Sequence, residues 1–162
     1  MAETYRLYRQ GLFSLALSIT GCAQLAEDAV QTAFECLCRS EASPNGSVVS
    51  YVFAAVRNAA TDVVRSNRRA TKVRESIFNE AAHNKESLTT PVDGLLVRER
   101  DQLLRVAIDG LDDGDREVIV MKIYGELTFD EIGTVLGQPG KTVGTRYRRA
   151  LSKLEEKLRG QL

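Results

Sequence analysis

The sequence is poor in the residues from which metal sites, disulfide frameworks and β-rich folds are built. Its 162 residues include three cysteines, three prolines, one histidine and no tryptophan. Cys36 and Cys38 lie two positions apart on a predicted helix, which would point their thiols about 200° from each other. This spacing suits neither a disulfide nor zinc, and with Cys22 we expect three free, partly buried thiols in a reducing compartment. His83 lies in a polar stretch without partner residues, which predicts a linker residue rather than a catalyst.

Long apolar runs and strand-like alternation are also missing. No apolar segment approaches the roughly 20 residues that span a bilayer, and no charged-then-apolar signal opens the chain. We therefore expect a cytoplasmic protein without a membrane span. Helix-forming residues dominate, so the predicted class is all-α. Because the sequence has no glycine-rich phosphate loop, no paired nucleophile and base and no plausible metal-ligand set, we expect no enzyme, no metal and no cofactor.

The net charge is zero, with 22 basic and 22 acidic side chains, which argues against a protein that simply coats nucleic acid. The charges are unevenly distributed along the chain, however. Residues 51–74 carry six basic side chains against one acid, and residues 138–159 are similarly basic. Acids gather at residues 27–35 and 109–115. Two separate basic surfaces predict two contacts with a polyanion, and the acids predict a surface that is free for another partner.

Turn residues and apolar periodicity divide the chain into three zones. Residues 1–71 predict several helices, interrupted by Gly21 and by a turn-rich stretch at 43–47. Residues 72–92 are polar and lack sustained periodicity, which predicts a flexible interdomain linker. Residues 93–162 predict four helices. The predicted architecture is therefore two small helical domains joined by a linker.

The most specific pattern lies in residues 127–151. A capping-box pair, a left-handed helix stop and a tight turn are predicted there, at Thr128, Glu131, Gly137, Pro139 and Gly140. From Lys141 onward, apolar positions recur every three and four residues, and polar and basic side chains fall on the opposite face. This layout predicts a helix-turn-helix whose second helix meets base edges and phosphates in the major groove. An ordinary antiparallel helix pair with a solvated basic face is the alternative.

Three segments, in the same order along the chain, resemble bacterial RNA polymerase sigma factors of the extracytoplasmic-function group. The family's segment that docks on the polymerase clamp is similar to LAEDAVQTAF (25–34). Its promoter-melting helix is similar to SYVFAAVRNAATDVVRSNRR (50–69), and its C-terminal domain is similar to residues 104–158. The resemblance implies a region 2-like domain at 1–71 and a region 4-like, winged-helix-like domain at 93–162.

The function implied by this resemblance is promoter-specific transcription initiation. The chain would bind core RNA polymerase and recognise the −10 and −35 elements of promoter DNA, and an anti-sigma factor is a further partner that the family allows. The other hypothesis is a LuxR-like helix-turn-helix regulator that binds duplex DNA without core polymerase. A sensor domain has no need of Arg57, Asn58 and Arg65 turned outward, which disfavours that hypothesis.

The resemblance also implies three groups of site residues. Core polymerase would be bound by Asp28, Gln31, Thr32 and Glu35. Recognition and melting of the −10 element would use Tyr51, Arg57, Asn58, Thr61, Arg65, Arg68 and Arg69. The −35 element would be bound by Lys141, Thr142, Thr145, Arg146, Arg148, Arg149 and Lys153. The loop at 41–50 would form the pocket that captures an unstacked base.

Chemistry separates the roles within these groups and leaves two alternatives open. Arginine can donate two hydrogen bonds to a guanine edge, whereas Lys141, Arg146 and Lys153 would position the helix on phosphates. Arg146 could instead form an intramolecular pair with Asp130 or Glu131. In the same way, Asp62 could pair with Arg65 or Arg69 within its own helix. Gly144 stands where the family often has lysine or arginine.

Overall fold

The computed structural model describes residues 1–75 and 95–160, which form seven α-helices. They are α1 (Ala2–Thr20), α2 (Ala23–Arg39), α3 (Val48–Glu75), α4 (Leu95–Asp109), α5 (Asp113–Ile123), α6 (Phe129–Leu136) and α7 (Gly140–Arg159). No strand occurs in these residues, so the all-α prediction is confirmed and no β-wing accompanies the helix-turn-helix there. Helix α3 continues past residue 71, and His83 with most of the predicted linker lies outside the described residues. No helix in the described ranges is long and apolar enough to cross a membrane.

Helices α1, α2 and α3 pack against one another as an N-terminal three-helix unit. Helix α1 ends where the sequence predicts, because Gly21 adopts φ 70° and its N–H donates to the carbonyl of Leu17 at 2.8 Å. The buried centre of the unit includes Leu12, Leu15 and Phe53, which are fully inaccessible to solvent. The turn-rich stretch forms the connection from α2 to α3, as expected.

The three cysteines are free, but two of them are not partly buried as predicted. Cys22 is half-buried, whereas Cys36 and Cys38 are exposed. The buried stripe of α2 runs from Ala26 to Leu37 and contains neither of these positions. No cluster of potential metal ligands occurs in the part of the chain that the structure describes.

Local signals set the helix-turn-helix formed by α6 and α7. The predicted capping box is present: Thr128 Oγ1 accepts from the Glu131 N–H at 3.2 Å, and Glu131 Oε2 accepts from the Thr128 N–H at 2.8 Å. Gly137 ends α6 at φ 66°, a left-handed conformation that glycine adopts without a Cβ clash. Helix α7 starts at Gly140 with Pro139 as its N-cap, one residue before the predicted start.

The N-terminal and C-terminal halves pack directly against each other through α1 with α5 and α3 with α6. Their buried apolar residues form one continuous core. At the contact, a Cβ on Gly11 would lie 2.8 Å from Gly125 Cα and from the Tyr124 carbonyl oxygen, so only glycine permits this approach. Buried Ser50 donates a hydrogen bond across the same contact to the Glu131 carbonyl at 3.2 Å.

Candidate nucleic-acid and partner interfaces

Helix α7 presents a polar outer face opposite its buried stripe. This stripe consists of Val143, Ala150 and Leu154, which are buried in the C-terminal core. Six of the seven side chains assigned to the −35 element are exposed, namely Lys141, Thr142, Thr145, Arg148, Arg149 and Lys153, and Arg146 is half-buried. All of the exposed ones except Lys153 share one solvent-facing surface, which we call the outer face of α7.

Gly144, where a basic residue is common, does not belong to that outer face. It is buried, and a Cβ added there would lie 3.5 Å from Cδ2 of the Phe129 ring. Phe129 in turn contacts Tyr147, with ring centroids 5.5 Å apart. Gly144 therefore lies at the contact between α6 and α7 and offers no side chain to a ligand.

Arg146 and Lys153 lie on a flank of α7 and contact acids of α5 and its preceding turn. Lys153 Nζ lies 2.6 Å from Asp115 Oδ2 and 3.2 Å from Asp112 Oδ2, and these hydrogen bonds raise the pKa of Lys153. Arg146 Nε lies 4.0 Å from Asp115 Oδ1. The alternative that Arg146 pairs with Asp130 or Glu131 is therefore wrong about the partner: the Glu131 carboxylate closes the capping box instead.

The acids at 109–115 are consequently not a surface free for another partner, as the charge pattern predicted. Asp112 and Asp115 bind Lys153, and Asp113 binds Arg116 at 3.0 Å within α5. The two contacts of Lys153 join segments about forty positions apart in the chain, so charge composition alone did not indicate them.

Helix α3 carries the second basic surface. Asn58, Arg65, Arg68 and Arg69 are exposed, and Tyr51 and Thr61 are half-buried. Arg57 is the exception, because its Nε lies 2.5 Å from Oε2 of Glu117 on α5. Asp62 is exposed and, within the described residues, forms no ion pair with Arg65 or Arg69.

A pocket of about 350 Å³ opens between the end of α2 and the first turns of α3. It is lined by Cys36, Leu37, Ser40, Tyr51, Ala54, Ala55 and Asn58. Two predicted residues, Tyr51 and Asn58, are thus brought together in its wall. None of the lining residues comes from the 41–50 loop, and the expectation that this loop captures an unstacked base stays a prediction. Neither Cys36 nor Ser40 carries a sequence signal for this role.

The face of α2 assigned to core polymerase is open to solvent. Asp28, Gln31, Thr32 and Glu35 are all exposed, opposite the buried stripe of the helix. Gln31 Nε2 donates to Glu35 Oε1 at 3.1 Å, and the carboxylates of Asp28 and Glu35 remain exposed. An acidic, solvent-facing helix of this kind suits a basic protein surface.

Two family models match the chain across these surfaces. Residues 4–70 match Sigma-70 region 2, which contains the α2 face, the pocket and the α3 basic surface. Residues 107–156 match Sigma-70, region 4, which contains the helix-turn-helix. The chain belongs to the sigma-70 family. Within that family it is a sigma factor of the extracytoplasmic-function group.

Named relatives agree with this assignment. The chain is 28% identical to the ECF RNA polymerase sigma factor SigW of Bacillus subtilis (strain 168), over 98% of this chain and 88% of SigW. It is 23% identical to the ECF RNA polymerase sigma factor SigM of the same organism, over 83% of this chain and 80% of SigM.

Solved structures show the same fold. The sigma factor RpoE of Bartonella quintana, in complex with the anti-sigma factor NepR, matches with a TM-score of 0.70 at 20% identity, covering 98% of this chain and 96% of RpoE. CnrH, in complex with the cytosolic domain of CnrY, matches with a TM-score of 0.65 at 24% identity, covering 99% of this chain and 88% of CnrH.

Sigma factors direct core RNA polymerase to promoters and catalyse no reaction themselves. This sigma factor is accordingly a non-enzymatic transcription initiation factor whose partners are core RNA polymerase and promoter DNA. The hypothesis of a LuxR-like regulator is not favoured, because the N-terminal half matches region 2 rather than a sensor domain.

Proposed function

We propose that three surfaces of this sigma factor divide the steps of initiation among them. The exposed face of α2, with Asp28, Gln31, Thr32 and Glu35, binds core polymerase. The pocket and the basic surface of α3 capture and hold the −10 strand. The outer face of α7 binds the −35 element. The predicted boundaries, 1–71, 72–92 and 93–162, remain our proposal for where these units begin and end.

The observation that carries this proposal is the pocket between α2 and α3. Opening a promoter requires an unstacked base to be held outside the helix and its backbone to be neutralised by cations. A volume of about 350 Å³ is at the lower end of small-ligand pockets. Asn58 in its wall has both a donor and an acceptor for a base edge. Arg65, Arg68 and Arg69 extend from the following turns of α3, where they can neutralise phosphates.

Arg57 has to leave Glu117 before it can contact the promoter strand. The pair joins α3 to α5 across the two halves of the molecule. We infer that the packed arrangement in this structure is a resting form, and that Arg57 becomes available when the halves separate on the polymerase. Tyr51 and Thr61 are half-buried on the same helix as Arg57. Tyr51 forms part of the pocket wall.

Both structural neighbours are complexes with a further protein: RpoE with the anti-sigma factor NepR, and CnrH with the cytosolic domain of CnrY. We propose that an anti-sigma factor also acts on this chain, and that the chain works in the cytoplasm, where core polymerase is found.

Reconstitution tests the proposal directly. The full chain, mixed with core RNA polymerase and promoter DNA, should start transcription at a defined site. With the same DNA, neither the chain alone nor core polymerase alone should do so. Asn58→Ala and Arg65→Ala should reduce open-complex formation, followed by permanganate reactivity, more than they reduce closed-complex binding. Asn67→Ala, at an exposed site on the same helix, is the matched control and should leave both steps unchanged. Equal loss of both steps in the test variants would contradict a role in melting.

A further inference from the structure

Helix α7 carries two distinct cationic stripes. The first is the outer face already described, with Lys141, Arg148 and Arg149. The second stripe, here called the flank stripe, consists of Arg146, Lys153 and Lys157, spaced seven and four residues apart and thus along one side of the helix. The two stripes differ in their surroundings. The outer face points to solvent, whereas the flank stripe runs along the turn between α4 and α5.

Every member of the flank stripe contacts that turn or the first turn of α5. Asp115 is the central group, since its Oδ2 lies 2.6 Å from Lys153 Nζ and its Oδ1 lies 4.0 Å from Arg146 Nε. Asp112 Oδ2 reaches the same lysine at 3.2 Å, and Lys157 Nζ donates to the Gly110 carbonyl. These contacts hold α7 at points that span about 16 Å along its axis, from the rise of 1.5 Å per residue.

Burial identifies Asp115 as the group that matters most among these acids. Its side chain is 13% exposed, compared with 84% for Asp112. A solvent-exposed ion pair is weak, because water screens it and long side chains must be ordered. A largely buried carboxylate shared by two cations is screened much less. Gly114 leaves room for the guanidinium of Arg146, because a Cβ at that position would lie 3.1 Å from its Nη1.

We propose that Asp115 is a positioning residue for promoter discrimination: it withdraws Arg146 and Lys153 from DNA phosphates and fixes the rotation of α7. The proposal rests on the role of α7 at the −35 element given above. Phosphate contacts supply sequence-independent affinity, whereas base contacts supply specificity. By neutralising two cations on the recognition helix, Asp115 lowers non-specific affinity and leaves discrimination to the outer face.

The test uses the full chain assembled with core polymerase and a promoter fragment selected from sequences randomised in the −35 window. Binding to this fragment and to one with a scrambled −35 window is measured over a series of salt concentrations. Asp115→Asn should bind the scrambled fragment more tightly than the wild type does. It should also steepen the salt dependence by about one to two counterions, because the freed cations reach phosphates. Asp115→Glu should restore the wild-type behaviour.

Matched variants separate positioning from a merely structural role. Asp113→Asn removes an acid of the same helix that binds Arg116, and it should behave like the wild type. Lys153→Ala alone should leave the salt slope unchanged, whereas in the Asp115→Asn background it should remove about one counterion. If Lys153→Ala alone lowers the slope by about one, Lys153 grips phosphate in the wild type and the proposal is wrong.

A uniform loss of affinity for Asp115→Asn on both fragments, with an unchanged slope, would also overturn the proposal, because it would indicate a purely structural role. Failure of the underlying function has a different signature. If α7 does not recognise the −35 element, the wild type itself will bind the selected and scrambled fragments equally well, whatever Asp115 does to the salt slope.

Discussion

At the scale of single residues, arginine occurs in three environments with different consequences for DNA binding. Arg149 is exposed on the outer face of α7, and within the described residues it forms no ion pair. Arg146 lies beside Asp115, and Arg57 is bound to Glu117. All three are predicted DNA contacts from their positions in the sequence. Only the exposed one can reach a base without first leaving a protein partner.

We therefore expect Arg149 to be the principal reader of the −35 element. If it donates two hydrogen bonds to a guanine edge, Arg149→Ala should cost about 1–3 kcal/mol on the preferred promoter. Most of that cost should disappear on a promoter already changed at the contacted base, because the same interaction is missing in both. Initiation assays over a set of −35 variants measure this difference.

The matched control for this experiment is Arg159→Ala, since Arg159 lies at the end of the same helix and binds Glu155 one turn away. It should change initiation little on every promoter. A uniform loss for Arg149→Ala across all −35 variants would show that Arg149 only grips phosphate. Thr145 or Arg148 would then be the better candidate for base recognition.

At the scale of helices, the orientation of α7 depends on short-range signals in α6. The capping box at Thr128 and Glu131 satisfies two backbone N–H groups that would otherwise have no partner at the start of the helix. Gly137 then reverses the chain direction, and Phe129 packs on Gly144 of α7. These local contacts thus fix how α7 begins relative to α6.

Removal of the cap should measurably destabilise this unit. Thr128→Ala should lower the free energy of unfolding by about 0.5–2 kcal/mol, because the Glu131 N–H loses its side-chain acceptor. Urea denaturation followed by circular dichroism measures the change. Thr134→Ala, at an exposed site of the same helix whose hydroxyl bonds only the preceding turn, should stay within about 0.5 kcal/mol of the wild type. Equal effects in the two variants would argue against a contribution from the cap.

Helix α2 provides a second prediction at this scale. Reversal of charge at Asp28 together with Gln31→Ala should weaken co-purification with core polymerase. The face of α2 would then no longer be complementary in charge to a basic surface of the polymerase. Helical content should not change, since both side chains are exposed. Glu3→Lys, the same charge reversal at an exposed site on α1, is the control and should bind normally. Unchanged binding by the α2 variant would place the docking surface elsewhere.

At the scale of the whole molecule, the two halves share a core although they match separate family regions. The contact combines glycine-permitted backbone approach at Gly11 and Gly125 with a hydrogen bond from Ser50 and the Arg57–Glu117 ion pair. The Glu117 side chain is 14% exposed, so loss of its charge would leave the Arg57 guanidinium beside it without compensation. Such a contact is consistent with the proposal that the packed arrangement is a resting form.

Glu117→Gln should therefore loosen the packing of the halves. We expect a larger radius of gyration by small-angle X-ray scattering and less coincident unfolding of the two halves. Gly11→Val, which places side-chain atoms against Gly125, should have the same effect by a steric route. Glu155→Gln, which affects only an exposed pair within α7, should leave the scattering unchanged. Compact scattering from both test variants would show that the apolar core alone holds the halves together.

The sequence by itself determined the helices and the direction of their faces. Helix periodicity, caps and glycine stops act over three or four residues, so the starts of α6 and α7 and the solvent exposure of Arg149 follow from local pattern. The resemblance carried by residues 25–34, 50–69 and 104–158 extended this to family and function, and the two matched regions agree with it.

Only the tertiary structure decided which charged groups are available and where the pocket lies. Arg57 meets Glu117 sixty positions away in the chain, and Lys153 meets Asp112 and Asp115 about forty positions away. The pocket likewise depends on how α2 crosses α3, and the shared core depends on how closely Gly11 approaches Gly125. Local periodicity specifies which side of a helix a residue occupies, but the crossing of helices specifies what that side meets. Whether a cation is available to DNA or is bound to another helix therefore depends on how the helices cross, and local periodicity does not specify it.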